Sequence, residues 1–498
     1  MELGLRFEDI LCWEENAAVT NTREESMETV IPEYCPAVAR IVETTGKLCI
    51  REKIVGEERC TVSGSVKVTV LYTSEEAAGL RSLTLSVPFS CSFEDRGLPK
   101  CRTLWATGRL LLAEATVVTS RKLYIKVLPE ITVTPFREGT RRLCCGTEED
   151  PHVRRRCKAL SLPLLCAVVE KECSITCQSM AITEEPPEDL LMYNAVPTVL
   201  SSQRVGNKLM IKGELWLCAT YRSENRALHR WEEALDFSQI VDVAELPEEA
   251  DYVLAAQLGD SDVRILRSEG STTFGVTGRI LLCISAYRRC GVECVTDLYS
   301  TRCSTTLERR NVTVPVRVPP RTVREDAALQ LEFDAPPAFV CLTDWDCGSV
   351  AVTADERGQT LHTTVHMHIL YLDDTDTPVS TTRSVEVSIA TGEVNVPVSV
   401  QCGRPTLQGS GSTVRINVPA IFTIGSGEEK TLPVITAVNM TEEERTNTPS
   451  LILRRMAAGE TLWDVAKQYR TDEEAIRSVN HLEENDEAAG LLLIPKLR

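Results

Sequence analysis

The chain has 498 residues and a formal net charge of −18, from 54 Lys and Arg against 72 Asp and Glu. Such an excess of negative charge is repelled by nucleic-acid phosphate and by anionic lipid, so no nucleic-acid partner is expected, the local run Arg154-Arg155-Arg156 notwithstanding. Hydrophobic residues at 43% and charged residues at 25% are an ordinary globular balance, and the length allows about three to five domains.

The opening Met1-Glu2-Leu3-Gly4-Leu5-Arg6 lacks a basic stretch followed by an apolar one and is not read as a secretory signal. No apolar run approaches the roughly 18 residues of a transmembrane segment. A protein that stays in the compartment where it is made is therefore expected. Its 20 cysteines bear on the same point. No C-x-x-C occurs, and the nearest pairs, Cys144-Cys145, Cys173/Cys177 and Cys290/Cys294, lack the second matched pair of a zinc site. Buried or free thiols come first, later-formed disulfides second and metal ligation third.

Taken in chain order, 1–28 is an N-terminal segment in which residues 8–17 read as a short helix. From about residue 30 strand signals dominate. Leu83, Leu85, Val87, Phe89, Cys91 and Phe93 alternate with polar residues and Pro, as do Val312, Val314, Val316 and Val318; this period of two puts apolar side chains on one face of a half-buried strand. One strand pattern recurs three times and ends in Tyr72, Tyr221 and Tyr371, which lie 149 and 150 residues apart. Val66, Val68 and Val70, then Leu215, Leu217 and Ala219, then Val365, Met367 and Ile369 lead into those tyrosines, and a polar turn follows each. A period of that size is a domain. The expected fold class is multidomain and mainly β: three tandem β-rich domains at 29–140, 179–310 and 320–436, followed by a small βααβ module. Residues 141–178 read as a cysteine-rich connector and 437–449 as a polar linker.

The last module, 450–498, changes period. Leu451-Ile452-Leu453 reads as a strand. Leu462, Val465, Ala466 and Tyr469 then share one helix face, with Thr461 and Asp464 placed to cap it. Thr471-Asp472-Glu473-Glu474 reads as a capping box opening a second helix through Ile476 and Val479. Leu491-Leu492-Leu493-Ile494-Pro495 closes the module as a strand. Gly459, Glu460, Thr461, Leu462, Trp463, Val465, Ala466, Tyr469, Asn480, Leu482, Ile494 and Pro495 follow in an order that resembles the LysM family. That resemblance implies a shallow groove between the loops 457–462 and 480–490. The binding residues it implies are Gly459, Glu460, Thr461, Leu462, Trp463, Asn480, Leu482, Glu483, Asp486 and Gly490. The usual ligand of the family is an N-acetylglucosamine-containing glycan. Here the second loop reads Glu483-Glu484-Asn485-Asp486-Glu487, and an acidic rim suits a basic protein surface better than an uncharged sugar.

Val30-Ile31-Pro32-Glu33-Tyr34-Cys35-Pro36, leading to Ala39-Arg40-Ile41, and the three tyrosine-terminated strands resemble the SPOCS domain family of endospore-forming bacteria. SPOCS-like repeats with one C-terminal LysM module resemble spore-envelope morphogenetic proteins. The resemblance implies a non-enzymatic scaffold in the mother-cell cytoplasm, at the forespore surface. It would anchor the coat basement layer by binding a SpoIVA-like coat morphogenetic protein through the LysM module, alongside other coat proteins. The alternative is a wall or cortex protein that binds peptidoglycan glycan; a peptidoglycan hydrolase is a third reading.

No cofactor or catalytic group is expected: the sequence holds no phosphate-binding loop, no H-E-x-x-H and no G-x-S-x-G. His362, His366 and His368 lie on the face opposite the apolar one of the third repeat strand, where a solvated surface is expected and a metal site is the alternative. Glu184-Glu185-Pro186-Pro187-Glu188-Asp189 reads as a turn or a solvated helix start, Trp463 as core or groove wall, and the three tyrosines as ends of core strands.

Overall fold

The computed structural model describes residues 3–56, 59–76, 78–94, 98, 101–355, 358–391, 398–442, 451–457, 459–483 and 491–495. Up to residue 441 its regular elements are antiparallel strands, and they follow one plan three times. The first unit holds β1 (Leu5–Glu15), β2 (Val19–Thr22), β3 (Glu25–Val30), β4 (Arg40–Val55), β5 (Cys60–Thr73), β6 (Arg81–Phe93), β7 (Thr103–Thr119) and β8 (Lys122–Thr147). Strands β4, β5 and β6 make a meander with β5 central. β8 is the middle of a second sheet, with β7 along one edge and β1, β2 and β3 along the other.

The second unit repeats this with β9 (Val153–Gln178), the meander β10 (Pro187–Val205), β11 (Lys208–Ser223) and β12 (Leu228–Asp242), then β13 (Asp251–Ser268) and β14 (Ser271–Ser300). Its second sheet has the order β13-β14-β9. The third holds β15 (Ser304–Glu332), β16 (Val340–Cys347), β17 (Ala351–Asp355), β18 (Gly358–Leu372), β19 (Pro378–Thr391), β20 (Val398–Cys402), β21 (Thr406–Ser410) and β22 (Thr413–Thr441). There β18 is central to the meander, and β22 pairs with β15 on one side and β20 and β21 on the other.

The repeated strands ending in tyrosine are β5, β11 and β18, each the centre of its meander. Their apolar alternation faces the second sheet of the same unit and builds a sandwich core. The equivalence extends to single residues. Gly64 sits directly across from Phe89 on β6, and Gly213 directly across from Phe237 on β12. A Cβ on Gly64 would lie 2.1 Å from the Cys49 carbonyl oxygen, and one on Gly213 would lie 2.5 Å from that of Thr198. The aromatic ring covers the bare backbone in both units; Thr363 facing Val387 stands there in the third.

Several expectations are corrected. Residues 8–17 hold no helix: 8–15 are strand, because Ile10, Cys12 and Trp13 bury their side chains where β1 pairs with β8. Residues 141–178 are largely strand, namely the end of β8 and all of β9. The unit limits by strand pairing therefore fall at 5–147, 153–300 and 304–441. Of the expected linker, 437–441 belongs to β22, and 443–449 lies outside the described residues.

The long strands β8, β9, β14, β15 and β22 each serve more than one core. β14 gives Phe274, Val276, Ile280, Leu282 and Ile284 to its own sandwich, then continues as a two-stranded ribbon with β9 and gives Val292, Val295 and Leu298 to a different core. The ribbons β1·β8 and β15·β22 do the same through Ile10, Cys12, Leu143, Cys144, Val314, Ile435 and Val438. The three ribbons pack into one hub. In β15 the register shifts between Val318 and Arg321, around Pro319-Pro320. Proline has no amide hydrogen for the ladder, so the strand bulges where it passes from sandwich to hub.

The meanders meet away from the hub. Leu71 and Leu80 of the first unit, Leu191 and Met192 of the second, and Phe339, Cys341 and Leu370 of the third form a shared apolar cluster. Beside it the three units line an open cavity of about 600 Å³. His366 and His368 line it, with Asp344 and Asp346 from β16, Lys47 from β4 and Asp260 from β13. The face of β18 expected to be solvated is thus turned toward its neighbours. His362, outside the cavity, bonds Thr353 Oγ1 at 2.8 Å. His368 faces Asp344 in the ladder and lies 3.6 Å from Glu43, which is buried.

Two predictions follow from this packing. Gly213→Ala should lower the unfolding free energy by about 1–3 kcal/mol, the cost of overpacking a filled site, read from urea unfolding; an unchanged midpoint would show that the meander has room to give. The second concerns pH. Burial pushes the Asp344 carboxyl above its ordinary 3.8, although His368 and Lys47 oppose the shift. The hydrogen bond to Glu43 lifts His368 above 6.5 against its own burial. Both groups bind more protons folded than unfolded, so their contribution is present at low pH and is lost as pH rises through the folded values. Burial lowers Lys47, whose effect has the opposite sign and falls in the alkaline range. Stability of Asp344→Asn relative to the unsubstituted chain should therefore increase from about pH 4 to about pH 7. Parallel stability curves would refute this.

Candidate binding groove of the C-terminal module

The module is β23 (Leu451–Arg455), α1 (Leu462–Tyr469), α2 (Glu473–Val479) and β24 (Leu491–Pro495), with β23 and β24 antiparallel. Leu462, Val465, Ala466, Ile476, Leu492 and Ile494 form its core, and Leu482 packs against it. Thr461 caps α1 in a full capping box: its hydroxyl accepts from the Asp464 amide at 3.3 Å, and the Asp464 carboxylate accepts from the Thr461 amide at 3.0 Å. Such a cap contributes about 1 kcal/mol. Hydrogen bonds donated by the Thr461 hydroxyl, at 2.6 Å, and by its amide hold the Asp464 carboxyl below its usual range.

The second helix departs from expectation. Its cap is Asp472, whose carboxylate accepts from the Glu474 amide at 3.2 Å. Thr471 is fully buried and its hydroxyl donates to the Pro495 carbonyl at 2.5 Å, which ties the turn between the helices to β24. Asn480, expected in the groove, is a structural staple. Its amide group donates to the carbonyls of Ile476 and Leu493 at 2.7 Å each, and its side-chain oxygen accepts from the Leu493 amide at 2.8 Å.

The first groove loop is open. Ala457, Gly459 and Thr461 are exposed, and Gly459 takes a left-handed φ of +81° with free space around it. Glu460 is held at the loop base by Arg454 at 2.9 Å, and its carboxylate accepts from the Ala457 amide at 3.1 Å. From the second loop the backbone carbonyl of Glu483 accepts from Arg477 at 2.8 Å; Asp486 and Gly490 lie outside the described residues. Leu451, Leu453 and Leu491 are all more than half exposed on the outer face of the two-stranded sheet.

Trp463 packs against the ribbon β9·β14. It is 8% exposed because α1 docks on the ribbon β9·β14. Its indole N–H donates to Asp297 at 2.8 Å, and its ring meets Tyr299 edge-on with centroids 4.9 Å apart. Lys467 reaches the same Asp297 carboxylate at 2.6 Å and Arg309 reaches it at 3.0 Å. Tyr299 donates to the Thr471 carbonyl at 2.9 Å, and Arg154 bonds the Asp472 carboxylate at 2.6 and 2.8 Å. Burial pushes the Asp297 carboxyl up, but the bonds from Lys467 and Trp463 outweigh it and hold the group below its ordinary range. Asp297 and Tyr299 were missed in the sequence because no local pattern links β14 to a helix about 165 residues later.

Docking through Asp297 predicts that a carbodiimide should join Asp297 to Lys467 with loss of water. Peptide mapping of the treated full-length chain should find that link, and Asp297→Asn should abolish it. Its absence from the unsubstituted chain would refute the docked arrangement.

Among comparisons with known proteins, the family model described as SipL, SPOCS domain matches residues 37–103, which span β4 to β6 and reach the start of β7. The LysM domain model matches residues 457–486, which span α1 and α2. No curated protein and no solved structure matches the chain. Both matched domains are binding domains rather than catalytic ones. The chain thus joins a SPOCS domain to a LysM domain, and in that pairing it resembles SipL.

Proposed function

We propose that this protein is a non-enzymatic scaffold of spore-envelope assembly, working in the mother-cell cytoplasm at the forespore surface, and that its LysM module anchors the coat basement layer by binding a SpoIVA-like coat morphogenetic protein. The observation that carries this reading is the presence of both domains in one chain. The strand plan supports it further, since the second and third units repeat the layout of the unit that holds the SPOCS match. All three are SPOCS-like domains in this reading, and their surfaces receive other coat proteins.

The character of the module favours a protein partner. Its first loop is exposed, its second reads Glu483-Glu484-Asn485-Asp486-Glu487, and the sheet beside them carries three exposed leucines. Carboxylates with an apolar strip match a surface of basic and apolar side chains. A second reading, glycan binding in wall or cortex, rests on the LysM match itself.

The two are separated by assaying the full-length chain against a purified SpoIVA-like protein and against insoluble peptidoglycan, at low and high salt. The proposal expects saturable, salt-sensitive binding to the protein, weakened at least tenfold by Glu483→Lys. Co-sedimentation with peptidoglycan and no binding to the protein would overturn it in favour of the glycan reading.

A further inference from the structure

We propose that Lys47 is a reactive amine in the wall of the junction cavity, placed to capture a small neutral aldehyde as an imine. Lys47 lies on β4 and lines the cavity beside Gly46. Its amine donates to the backbone carbonyl of Tyr193, on β10 of the second unit, and stands 4.2 Å from the centroid of the Tyr193 ring. Among the described residues no carboxylate forms an ion pair with it; its partners are that carbonyl and that ring.

A second lysine shares the ring. Lys67, on β5, sits 5.4 Å from the same centroid. It has what Lys47 lacks, a carboxylate: Asp262 lies 3.5 Å away. Lys67 also donates to the Tyr193 hydroxyl and to the Ser261 carbonyl, each at 3.2 Å. Two ammonium groups over one ring repel each other, and the one without a carboxylate gives up its proton more readily. Losing that proton costs Lys47 little in bonding, because a neutral amine can still donate to the Tyr193 carbonyl. A lysine taken out of water and set beside another cation is activated as a nucleophile. In agreement, burial pushes the Lys47 ammonium below its ordinary range; Asp344 opposes the shift and Lys67 adds to it.

The cavity supplies the rest. At about 600 Å³ and open, it admits a small molecule. Asp260, Asp344 and Asp346 line it, so an anionic ligand is repelled. The Nζ lone pair attacks the carbonyl carbon, a C–N bond forms, and one Nζ proton passes to the oxygen. The carbinolamine then loses that hydroxyl, together with the second Nζ proton, as water, and the C=N bond forms. One amine and one aldehyde become one imine and one water, with no oxidant or reductant. Asp344 is the acid at hand for the departing hydroxyl: it faces His368 in the ladder, shares the cavity with Lys47, and keeps its proton above the ordinary carboxylate range.

The test treats the full-length protein with a limiting amount of propanal and with cyanoborohydride, which fixes any imine as a secondary amine, and maps the labelled lysines. Each unit by which a lysine's pKa falls raises its neutral fraction about tenfold near neutral pH, so Lys47 should be labelled roughly tenfold faster than the exposed Lys208. Glyoxylate, an anionic aldehyde, should favour Lys47 over Lys208 less than propanal does. Lys67→Gln should slow the labelling of Lys47 and leave that of Lys208 unchanged. Labelling of Lys47 at or below the rate of Lys208 would overturn the proposal. Equal selectivity with glyoxylate would overturn the assignment to neutral aldehydes, and an unchanged Lys47 rate in Lys67→Gln would overturn the part given to Lys67. Mapping on the unsubstituted chain decides the matter even where the variant fails to fold.

Discussion

The architecture depends on burying one face of three two-stranded ribbons. A ribbon has too little apolar surface to stand alone in water. Here β1·β8, β9·β14 and β15·β22 leave their sandwiches and turn Ile10, Leu143, Leu164, Val292, Leu298, Val314 and Ile435 toward each other. Each ribbon supplies one wall of a core that no unit completes alone. The hub therefore holds the three units as one body, and it explains why β14, β15 and β22 run to about thirty residues where a strand usually has five or six. It also provides the platform for the LysM module, since Arg154, Asp297 and Tyr299 all sit on the second ribbon.

Charge is used differently at the two places where the units and module meet. At the docking face one carboxylate, Asp297, satisfies an indole N–H, a lysine and an arginine, and its side chain is 18% exposed. Hydrogen bonds to a charged group in such a setting contribute about 1.5–3 kcal/mol, more than the roughly 0–1 kcal/mol of an exposed pair. At the junction of the meanders the charges are less well matched. One carboxylate oxygen of Glu43 is buried without a partner among the described residues. Lys47 donates to the Tyr193 carbonyl rather than to a carboxylate. Asp344 is bonded by the Trp345 amide and is left to burial. One contact is built to hold at neutral pH, whereas the other carries an ionisation cost there.

What the sequence reveals follows the range of the interaction. The alternation of Leu83, Val87, Phe89, Cys91 and Phe93 appears in β6 as a run of buried side chains, because period two depends on neighbours only. The LysM helices and the Thr461 cap were legible for the same reason. The N-terminal strand was not: the register that makes 8–15 a strand pairs Leu5 with Thr147, far along the chain. Residues 141–178 looked like a connector because their apolar side chains are shared among partners far apart in the chain. The histidines of β18 looked solvated because a face that packs on another unit is polar enough to pass for surface. Within the module, Thr471 and Asp472 are both competent caps, and only the position of Pro495 shows which hydroxyl is already engaged. The loop 480–490 was expected to complete the groove, and of its site residues Asn480 proved to be a staple between α2 and β24.

The docking of α1 bears directly on how a partner approaches. Helix α1 gives Trp463 and Lys467 to the hub, so this face of the module is committed within the chain. The loop with Gly459 and Thr461 and the strip of Leu451, Leu453 and Leu491 remain exposed. A LysM module on a free tether would present every face in turn and lose more orientational freedom on binding. One clamped at Asp297 presents the same surfaces continuously, in a fixed relation to three β-units, so less ordering entropy opposes association. The module's orientation follows from the ribbon on which it sits.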